Sequence, residues 1–403
     1  MTGRGRARIA GKRLILASVL SLALLQSAIV LANSNVSRRE ASSRALRSMA
    51  RIYLAYGEYA KAEPLIEKAL TLAKADSESE SELYMCLIDQ AWLYSSQGRL
   101  AEAEQRCRQG LELQEIAQGS NHPYIAYTLR ILSTINREQC KYNQAKSVLE
   151  KAIDVMKKNQ LVDEPLMAPF KVEMAVILTE QGKLAEAEDY FKEAMDLVDK
   201  SYGPEHVYTA SVLSQVARLY VLQGRYSDAE GAVNRALAIQ EEVYGPDHVF
   251  LAPTWLVKAS IYKAKGEYDQ AEEFLKKTLT TVENKHGFGH PLVGKALNLL
   301  SELSLARGDY AKAEEFSERA INVFEQSLGT NSDYTAMAYH NLARVRIHQG
   351  KYSEAHTLCR RALTILRSMF GRNHPKVARV LATMSQIAKG DTEQVVITAS
   401  EQY

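Results

Sequence analysis

Apolar residues recur at three- and four-residue intervals along most of the chain, which is the spacing of amphipathic helices. Residues 212–224 (VLSQVARLYVLQG) show this pattern, and residues 226–245 (YSDAEGAVNRALAIQEEVYG) show it again. Gly224 separates the two stretches, at a point where a left-handed backbone conformation ends a helix at little cost. The pattern therefore predicts two helices joined by a short turn.

The same helix pair recurs at a fixed interval. Seven turns carry glycine and one carries cysteine, at Gly57, Gly98, Cys140, Gly182, Gly224, Gly266, Gly308 and Gly350. The first interval is 41 residues and every later one is 42. The sequence thus predicts eight repeats between about residue 41 and residue 372.

Small residues occupy two further fixed positions of the repeat. Five residues after each turn stands an alanine: Ala62, Ala103, Ala145, Ala187, Ala229, Ala271, Ala313 and Ala355. Seven residues before each turn stands alanine or serine: Ala50, Ala91, Ser133, Ala175, Ala217, Ala259, Ser301 and Ala343. Larger side chains there would force the helix axes apart, so we expect the two helices of each pair to approach closely at these positions.

A histidine follows the second helix in five repeats, at His122, His206, His248, His290 and His374. Neighbouring helices lie ~8–10 Å apart, whereas metal ligands must lie within ~2.1 Å of one ion. One histidine per repeat cannot converge on a metal, so we expect these residues to cap helices or pack loops. No metal or cofactor is predicted.

The motif GxYxxAE, followed by RAL and then by G-x-x-H-P, resembles the tetratricopeptide repeat of the long, 42-residue kinesin light chain type. The resemblance covers residues 41–388. It implies an all-α fold, a right-handed superhelical solenoid of eight antiparallel helix pairs with a concave groove. Such arrays end in a solvating helix, for which residues 376–389 are the candidate. We expect the array to span residues 33–388 and a flexible tail to span residues 389–403.

The first 32 residues differ from the rest of the chain. They carry five basic residues and no acidic one, and without them the net charge of +2 becomes 45 basic against 48 acidic residues. That balance argues against a nucleic-acid-binding protein. A basic start, an apolar run and the small residues Val30 and Ala32 predict a signal peptide cleaved before Asn33, with export to the bacterial periplasm or the cell exterior. The alternative is an uncleaved anchor formed by residues 14–32.

The four cysteines have no metal-binding spacing and are expected to be small buried hydrophobic residues. Cys86 and Cys107 fall on the two helices of one repeat, so a disulfide between them is an open alternative in an oxidising compartment.

The sequence lacks HExxH, GxxxxGK[ST] and GxSxG motifs, and a non-enzymatic protein-binding scaffold is predicted. The resemblance places groove-facing residues 13, 10, 6, 3 and 2 positions before each turn. Read in this way, nine basic and three acidic residues face the groove, with apolar and polar neighbours: Arg44, Arg47, Arg51, Met85, Ile88, Trp92, Tyr127, Arg130, Arg137, Glu138, Glu180, Arg218, Lys263, Lys295, Asn298, Glu302, His340, Arg344 and His348.

An arginine-rich groove suits carboxylates. We therefore expect an extended, acidic peptide segment of a protein partner to bind in the N-terminal half, with Arg44, Arg47, Arg51, Trp92, Arg130 and Arg137 as the main contacts and Tyr127 beside Trp92. The alternative is that these arginines pair with neighbouring glutamates. Kinesin light chains bind acidic peptides through paired asparagines, of which only Asn298 and Asn341 are present. A membrane-anchored assembly factor and a docking subunit of an enzyme complex are the other functions considered, and the oligomeric state stays open.

Overall fold

The computed structural model describes residues 38–75, 80–161 and 165–400, and the side chains among them except those of residues 38–41, 165 and 390–400. The predicted signal peptide or anchor of residues 1–32 lies outside the described residues. Among the described residues, no helix is both long enough and apolar enough to cross a membrane.

The described residues form seventeen α-helices and no β-strand. This arrangement confirms the predicted all-α fold of eight helix pairs and one terminal helix. The helices are α1 (Arg38–Ala55), α2 (Tyr59–Lys74), α3 (Glu80–Ser96), α4 (Leu100–Gln118), α5 (Pro123–Glu138), α6 (Tyr142–Lys158), α7 (Ala168–Glu180), α8 (Leu184–Tyr202), α9 (Val207–Leu222), α10 (Tyr226–Tyr244), α11 (Ala252–Lys265), α12 (Tyr268–His286), α13 (Pro291–Ala306), α14 (Tyr310–Ser327), α15 (Asp333–His348), α16 (Tyr352–Phe370) and α17 (Pro375–Ser400). Short 3₁₀ turns at Pro165–Met167 and Val249–Leu251 precede α7 and α11.

The chain divides into two compact units, Met1–Leu132 and Ser133–Tyr403, and helix α5 contains the boundary. In the first unit, α1 packs on α2 and α3 packs on α4. In the second unit, α7 packs on α8, and the same pairing continues through α15 and α16. Helix α17 then packs against α16, as a solvating terminal helix should.

The turn between the helices of a pair has the left-handed backbone that its glycine predicts. Gly224 has φ of +76°, and Cys140, which replaces glycine in the third repeat, has φ of +63°. A side chain is rarely found in this conformation because its Cβ crowds the backbone. Cys140 therefore keeps the geometry of the turn in spite of its side chain.

The small-residue positions lie where the two helices of a pair meet. Ala229 and Ala217 have no exposed surface, and they pack together with Val233, Val257 and Ile261. In the third repeat the Ser133 hydroxyl donates a 2.8 Å hydrogen bond to the Ala145 carbonyl of the partner helix. A side chain of two heavy atoms thus spans the gap, which confirms the close approach predicted from the sequence.

The five repeated histidines cap helix N-termini. Nδ1 of His206 accepts a 3.1 Å hydrogen bond from the Tyr208 backbone amide, and His248, His290, His122 and His374 accept one from the amide two residues later in the same way. Each bond satisfies one of the amides that a helix leaves unpaired at its start. The interpretation of these histidines as caps is confirmed.

The cysteines are the small buried residues that were expected, whereas the C-terminal helix differs from its expected boundary. Cys86 and Cys107 are both buried free thiols: the Sγ of Cys86 lies 3.6 Å from the Ser43 hydroxyl, and that of Cys107 lies 3.7 Å from the Thr128 carbonyl. The structure therefore contains no disulfide between them. Helix α17 also continues to Ser400, beyond the expected end at residue 388. Residues 389–394 (KGDTEQ) interrupt the apolar spacing without ending the helix, and the flexibility of the tail stays a prediction.

Candidate functional site

The arginines of the first repeat are already paired with carboxylates of α3. Arg47 donates to Glu82 at 2.8 Å and to Asp89 at 2.7 Å, and its side chain is 4% exposed. The Nε of Arg44 lies 3.2 Å from Glu82, and that of Arg51 lies 2.8 Å from Asp89. The structure therefore corrects the role expected for Arg47, because a buried side chain with two carboxylate partners holds α1 against α3 and cannot meet a ligand.

The other expected contacts of the first unit lie nearer the surface. Trp92 is 43% exposed on α3. Tyr127 and Arg130 lie one turn apart on α5 and are half-buried. The indole of Trp92 is thus the most accessible of the aromatic groups predicted to contact a partner in this unit, whereas Arg44 and Arg51 offer only the part of the guanidinium that Glu82 and Asp89 leave open.

The first helices of later repeats surround a cavity of about 290 Å³ in the second unit, which we call the chamber. Residues of α5, α7, α9, α11, α13 and α15 line it. Its charged lining residues are Arg137, Glu180, Arg218 and Lys295, and all four came from the groove positions read off the sequence. These residues are brought together because each comes from the same face of a successive repeat.

Two of the three cations in the chamber have carboxylate partners. Arg137 donates to Glu173 at 2.8 Å, and Arg218 donates to Glu180 at 2.6 Å. Burial lowers the pKa of the Arg218 guanidinium, but Glu180 more than offsets it, so this pKa lies above its ordinary value. Burial likewise raises the pKa of Glu180, and Arg218 and other cations shift it below the ordinary value. Both groups are therefore charged.

Lys295 is the third cation, and it has no ion-pair partner among the described residues. Its Nζ lies 4.5 Å from the centre of the Tyr334 ring. Burial lowers its pKa, Arg218 lowers it further, and Glu180 offsets this only in part. The Lys295 side chain is half-buried, and an ammonium partly removed from water without a carboxylate partner is costly, so Lys295 is the group that gains most from an incoming anion.

Apolar side chains form another part of the chamber lining, which we call the apolar wall. It consists of side chains from α9, α11 and α13, namely Val221, Leu222, Pro253, Leu256, Val257, Leu292 and Leu299. Ser214, Gln215, Ser260 and Asn298 add polar groups between them. The chamber therefore combines an apolar surface with a few convergent polar groups, as ligand sites commonly do.

Two of the remaining expected residues contact each other. The Asn341 amide, 1% exposed, donates a 2.9 Å hydrogen bond to the Asn298 side-chain oxygen. The pair stands at one side of the chamber, since Asn298 is part of its lining. Arg344, one turn further along α15, is half-buried and lines a different cavity.

A set of contacts that the sequence did not indicate joins the two ends of the second unit. We call the residues at these contacts the closure cluster, and it consists of Cys140, Tyr142, Glu180, Asp333 and Lys376. The Tyr142 hydroxyl donates to Asp333 at 3.0 Å, and Lys376 forms an ion pair with the other oxygen of the same carboxylate. The third repeat thereby contacts the eighth repeat and the terminal helix.

Burial and the neighbouring charges set the ionisation of the closure cluster. Burial raises the pKa of Asp333, but Lys376 more than offsets it, so the pKa lies below its ordinary value. Burial raises the pKa of Tyr142 and of Cys140 well above their ordinary values, and Asp333 adds to both shifts. Tyr142 is therefore a neutral donor beside an ionised carboxylate.

Comparison with known families agrees with this architecture. The model described as a MalT-like TPR region matches residues 23–202 and 206–402, and a tetratricopeptide repeat model matches residues 167–242. The chain therefore belongs to the family of MalT-like TPR regions, and its repeats are tetratricopeptide repeats of the kinesin light chain type. No curated protein matches the sequence.

Several solved structures share the fold. The Rap protein complexed with Competence and Sporulation Factor is 14% identical, with a TM-score of 0.58, and the match covers 87% of this chain and 99% of that one. The apo form of the quorum sensor NprR from B. thuringiensis is 15% identical, with a TM-score of 0.55 over 89% of this chain and 99% of that one. Nearly identical TPR-like repeats of a putative kinesin light chain from Podosopora anserina are 21% identical, with a TM-score of 0.39, and the match covers 51% of this chain and 98% of that one.

Tetratricopeptide repeats are in general interaction scaffolds without catalytic activity. The chain is thus a protein-interaction scaffold. Within the described part of the chain, no group of three or more His, Cys, Asp or Glu residues is arranged to hold a metal ion.

Proposed function

We propose that the chain is a non-enzymatic scaffold that binds a short peptide segment of a partner protein in the chamber, with a carboxylate of the peptide at Lys295. The observation that carries this proposal is the position of the Lys295 ammonium. It lines a cavity with an apolar wall, and it has no ion-pair partner among the described residues. A ligand carboxylate would supply the missing counter-charge.

The charges of the chamber favour an acidic ligand over a basic one. Arg137, Arg218 and Lys295 line it together with one carboxylate, that of Glu180. Charge-assisted hydrogen bonds from such groups to a carboxylate are roughly twice as strong as neutral ones. Arg137 and Arg218 are paired with Glu173 and Glu180, so the positive charge in excess is that of Lys295, and it repels a basic peptide.

The apolar wall favours a peptide with aliphatic or aromatic side chains beside its carboxylate. Leu256 and Leu292 stand on neighbouring first helices and contribute to the same wall. Fully burying one such ligand side chain is worth about 1.5–3 kcal/mol. The Rap protein, which has the same fold, was solved in complex with Competence and Sporulation Factor, so an array of this type can hold a partner.

The chamber replaces the N-terminal half as the proposed site of the acidic segment. Glu82 and Asp89 neutralise the charge of the first repeat, because they pair with Arg44, Arg47 and Arg51. Trp92 and Arg130 stay candidates for a second contact with the same partner.

Selection from a random peptide library on the full chain tests the proposal. Selected peptides are then titrated against the wild type, Lys295→Met and the control Lys200→Met, which removes the same charge from an exposed position of α8. We expect acidic, partly apolar peptides to be enriched, and Lys295→Met to weaken them roughly tenfold or more. Equal affinity for the wild type and Lys295→Met would refute the proposed site.

The site of action is a separate proposal. We infer from the basic and apolar pattern of residues 1–32 that the scaffold acts outside the cytoplasm, either free after cleavage or anchored by residues 14–32. Sequencing the N-terminus of the protein purified from its own cells tests this: a start at Asn33 supports cleavage, and a start at Met1 supports the anchored assembly factor.

A further inference from the structure

A second cavity, of about 500 Å³, lies between α15 and α17 at the C-terminal end of the array. We call it the terminal cavity. Four basic side chains line it: His340, Arg344 and His348 from α15, and Arg379 from α17. No carboxylate belongs to its lining. The proposed function does not use this cavity.

The two arginines of the terminal cavity form no ion pair with a carboxylate in the described ranges of the chain. Glu302 on α13 is the nearest negative influence on Arg344, but it is ion-paired with Lys263. Burial lowers the pKa of Arg344, Glu302 raises it, and Arg379 lowers it again, so the pKa lies below its ordinary value. Arg344 is half-buried and Arg379 is exposed, and their mutual repulsion beside one cavity would be relieved by an anion bound between them.

His340 gives an independent indication of a missing partner. The residue is 2% exposed, and its Nε2 lies 2.8 Å from the Thr383 hydroxyl. Its Nδ1 is buried and has no hydrogen-bond partner among the described residues. Burial, followed by Arg344 and Arg379, lowers the pKa of His340 to about 4. Because the Thr383 hydroxyl donates to the Arg379 carbonyl, Nε2 carries the proton of the neutral ring and Nδ1 is the acceptor. A buried acceptor without a partner is rare in folded proteins, and it usually marks an unseen water or a ligand with a donor group.

We propose that the terminal cavity binds a phosphoryl group through Arg344 and Arg379. A carboxylate carries one negative charge and is satisfied by one guanidinium fork, so it would leave the second arginine without a counter-charge. A phosphoryl group carries about −1.5 to −2 at neutral pH and offers three acceptor oxygens, which match two guanidiniums. His348 stands at the same cavity and can add a further hydrogen bond.

The phosphoryl group has two possible sources, a free phosphate ion and a phosphorylated side chain of a partner. The terminal cavity and the chamber flank the Asn298–Asn341 pair, since Asn298 lines the chamber and the neighbouring turn of α15 lines the terminal cavity. A bound segment that follows the first helices would reach both. The two sites nevertheless have different lining residues, so each can be tested without the other.

Isothermal titration calorimetry on the full chain tests the proposal with three probes: inorganic phosphate, a phosphoserine peptide and its unphosphorylated twin. The variants are Arg344→Gln and Arg379→Gln, and the control is Arg360→Gln, which removes the same charge from an exposed position of α16. Circular dichroism of each variant shows that the helical fold is retained.

We expect at least one phosphorylated probe to bind saturably. Arg344→Gln and Arg379→Gln should each weaken its affinity roughly tenfold or more, and Arg360→Gln should leave the affinity unchanged. Phosphate and phosphopeptide of equal affinity would identify the free ion as the ligand, whereas a much tighter phosphopeptide would identify a modified partner. Absence of saturable binding for both phosphorylated probes, or equal binding by the wild type and Arg344→Gln, would overturn the proposal. Lys295 does not line the terminal cavity, so the effect of Lys295→Met on peptide binding tests the chamber alone.

Discussion

The Tyr142 hydroxyl donates a hydrogen bond to the Asp333 carboxylate across 191 residues of sequence. The Tyr142 ring also stacks on Phe370, with ring centroids 5.4 Å apart. In a repeat array each unit normally contacts only its neighbours. The second unit of this chain departs from that rule, because its third repeat packs directly against its eighth.

Tyr142→Phe isolates the hydrogen bond of this contact. The substitution keeps the ring stacked on Phe370 but leaves the buried Asp333 carboxylate with one donor fewer. We expect a loss of about 1–3 kcal/mol in the free energy of unfolding, measured by urea denaturation. The control is Tyr352→Phe at the same position of the eighth repeat, where the hydroxyl has no hydrogen-bond partner within the described part of the chain. Equal losses for both variants would show that the hydrogen bond does not stabilise the fold.

Gly182→Ala and Gly224→Ala form a matched pair, since both glycines have φ of +76°. The shared backbone strain should cost about 1 kcal/mol in each variant. A Cβ at Gly182 would also lie 3.2 Å from Nε2 of His374, whereas one at Gly224 would meet nothing within 4 Å. We therefore expect Gly182→Ala to melt at the lower temperature. If the two variants melt together, the fourth repeat and α17 are not in contact in solution.

Ala229→Leu tests the packing of a helix pair. Ala229 has no exposed surface, so the three extra heavy atoms of leucine cannot be accommodated without moving α9 or α10. Overpacking of this kind costs about 1–3 kcal/mol. Ala238→Leu makes the same change on an exposed face of α10 and should be close to neutral. Chemical denaturation of the two variants checks the difference, and a neutral Ala229→Leu would contradict the close approach of the helices.

Lys295→Met should stabilise the fold while it weakens peptide binding. The pKa of Lys295 is lowered by burial and by Arg218, so its ammonium costs free energy at neutral pH. We expect the variant to gain ~0.5–2 kcal/mol of stability. The stability that Lys295→Met gains over the wild type is largest below the pKa of Lys295 in the folded state. It shrinks as the pH rises through that pKa, because the wild-type lysine then loses its charge. Thermal melting at pH 7 and pH 10 measures both effects, and a less stable variant at pH 7 would contradict the assignment.

The closure cluster should respond to acid with a definite sign. Because Lys376 holds the pKa of Asp333 below the ordinary value of 3.8, the carboxylate stabilises the fold above that value and loses this contribution as the pH falls through the folded pKa. Asp333→Asn should therefore lower the free energy of unfolding at pH 7. The difference from the wild type should become smaller below pH ~3.8. Asp189→Asn, at an exposed site of α8, is the control. If the stability difference between Asp333→Asn and the wild type stays constant down to pH 2, the ionised Asp333 carboxylate does not stabilise the fold.

Features that repeat were predictable, and features that join distant repeats were not. The left-handed Cys140, the buried alanines and the histidine caps each occupy a fixed column, so a register found in one repeat applies to the others. The chamber residues Arg137, Arg218 and Lys295 were found by the same register.

The errors come from interactions that the columns do not contain. Asp89 and Glu173 both stand nine residues before a turn, and this position was not counted among those facing the groove. Asp89 pairs with Arg47, and Glu173 pairs with Arg137. These arginines therefore leave less positive charge available to a ligand than the sequence pattern predicted. Tyr142, Asp333 and Lys376 are far apart in sequence, and no local pattern indicates that a chain will return to its third repeat.

When two distant repeats of an array contact each other, the number of repeats between them is fixed. In an open row of repeats, one 42-residue unit can be gained or lost and the remaining interfaces survive. Here such a change would move Asp333 and Lys376 by the width of a helix pair away from Tyr142, and the closing contact would be lost. The number of repeats between α6 and α17 is therefore a structural constant of this protein, much as the number of strands is in a barrel.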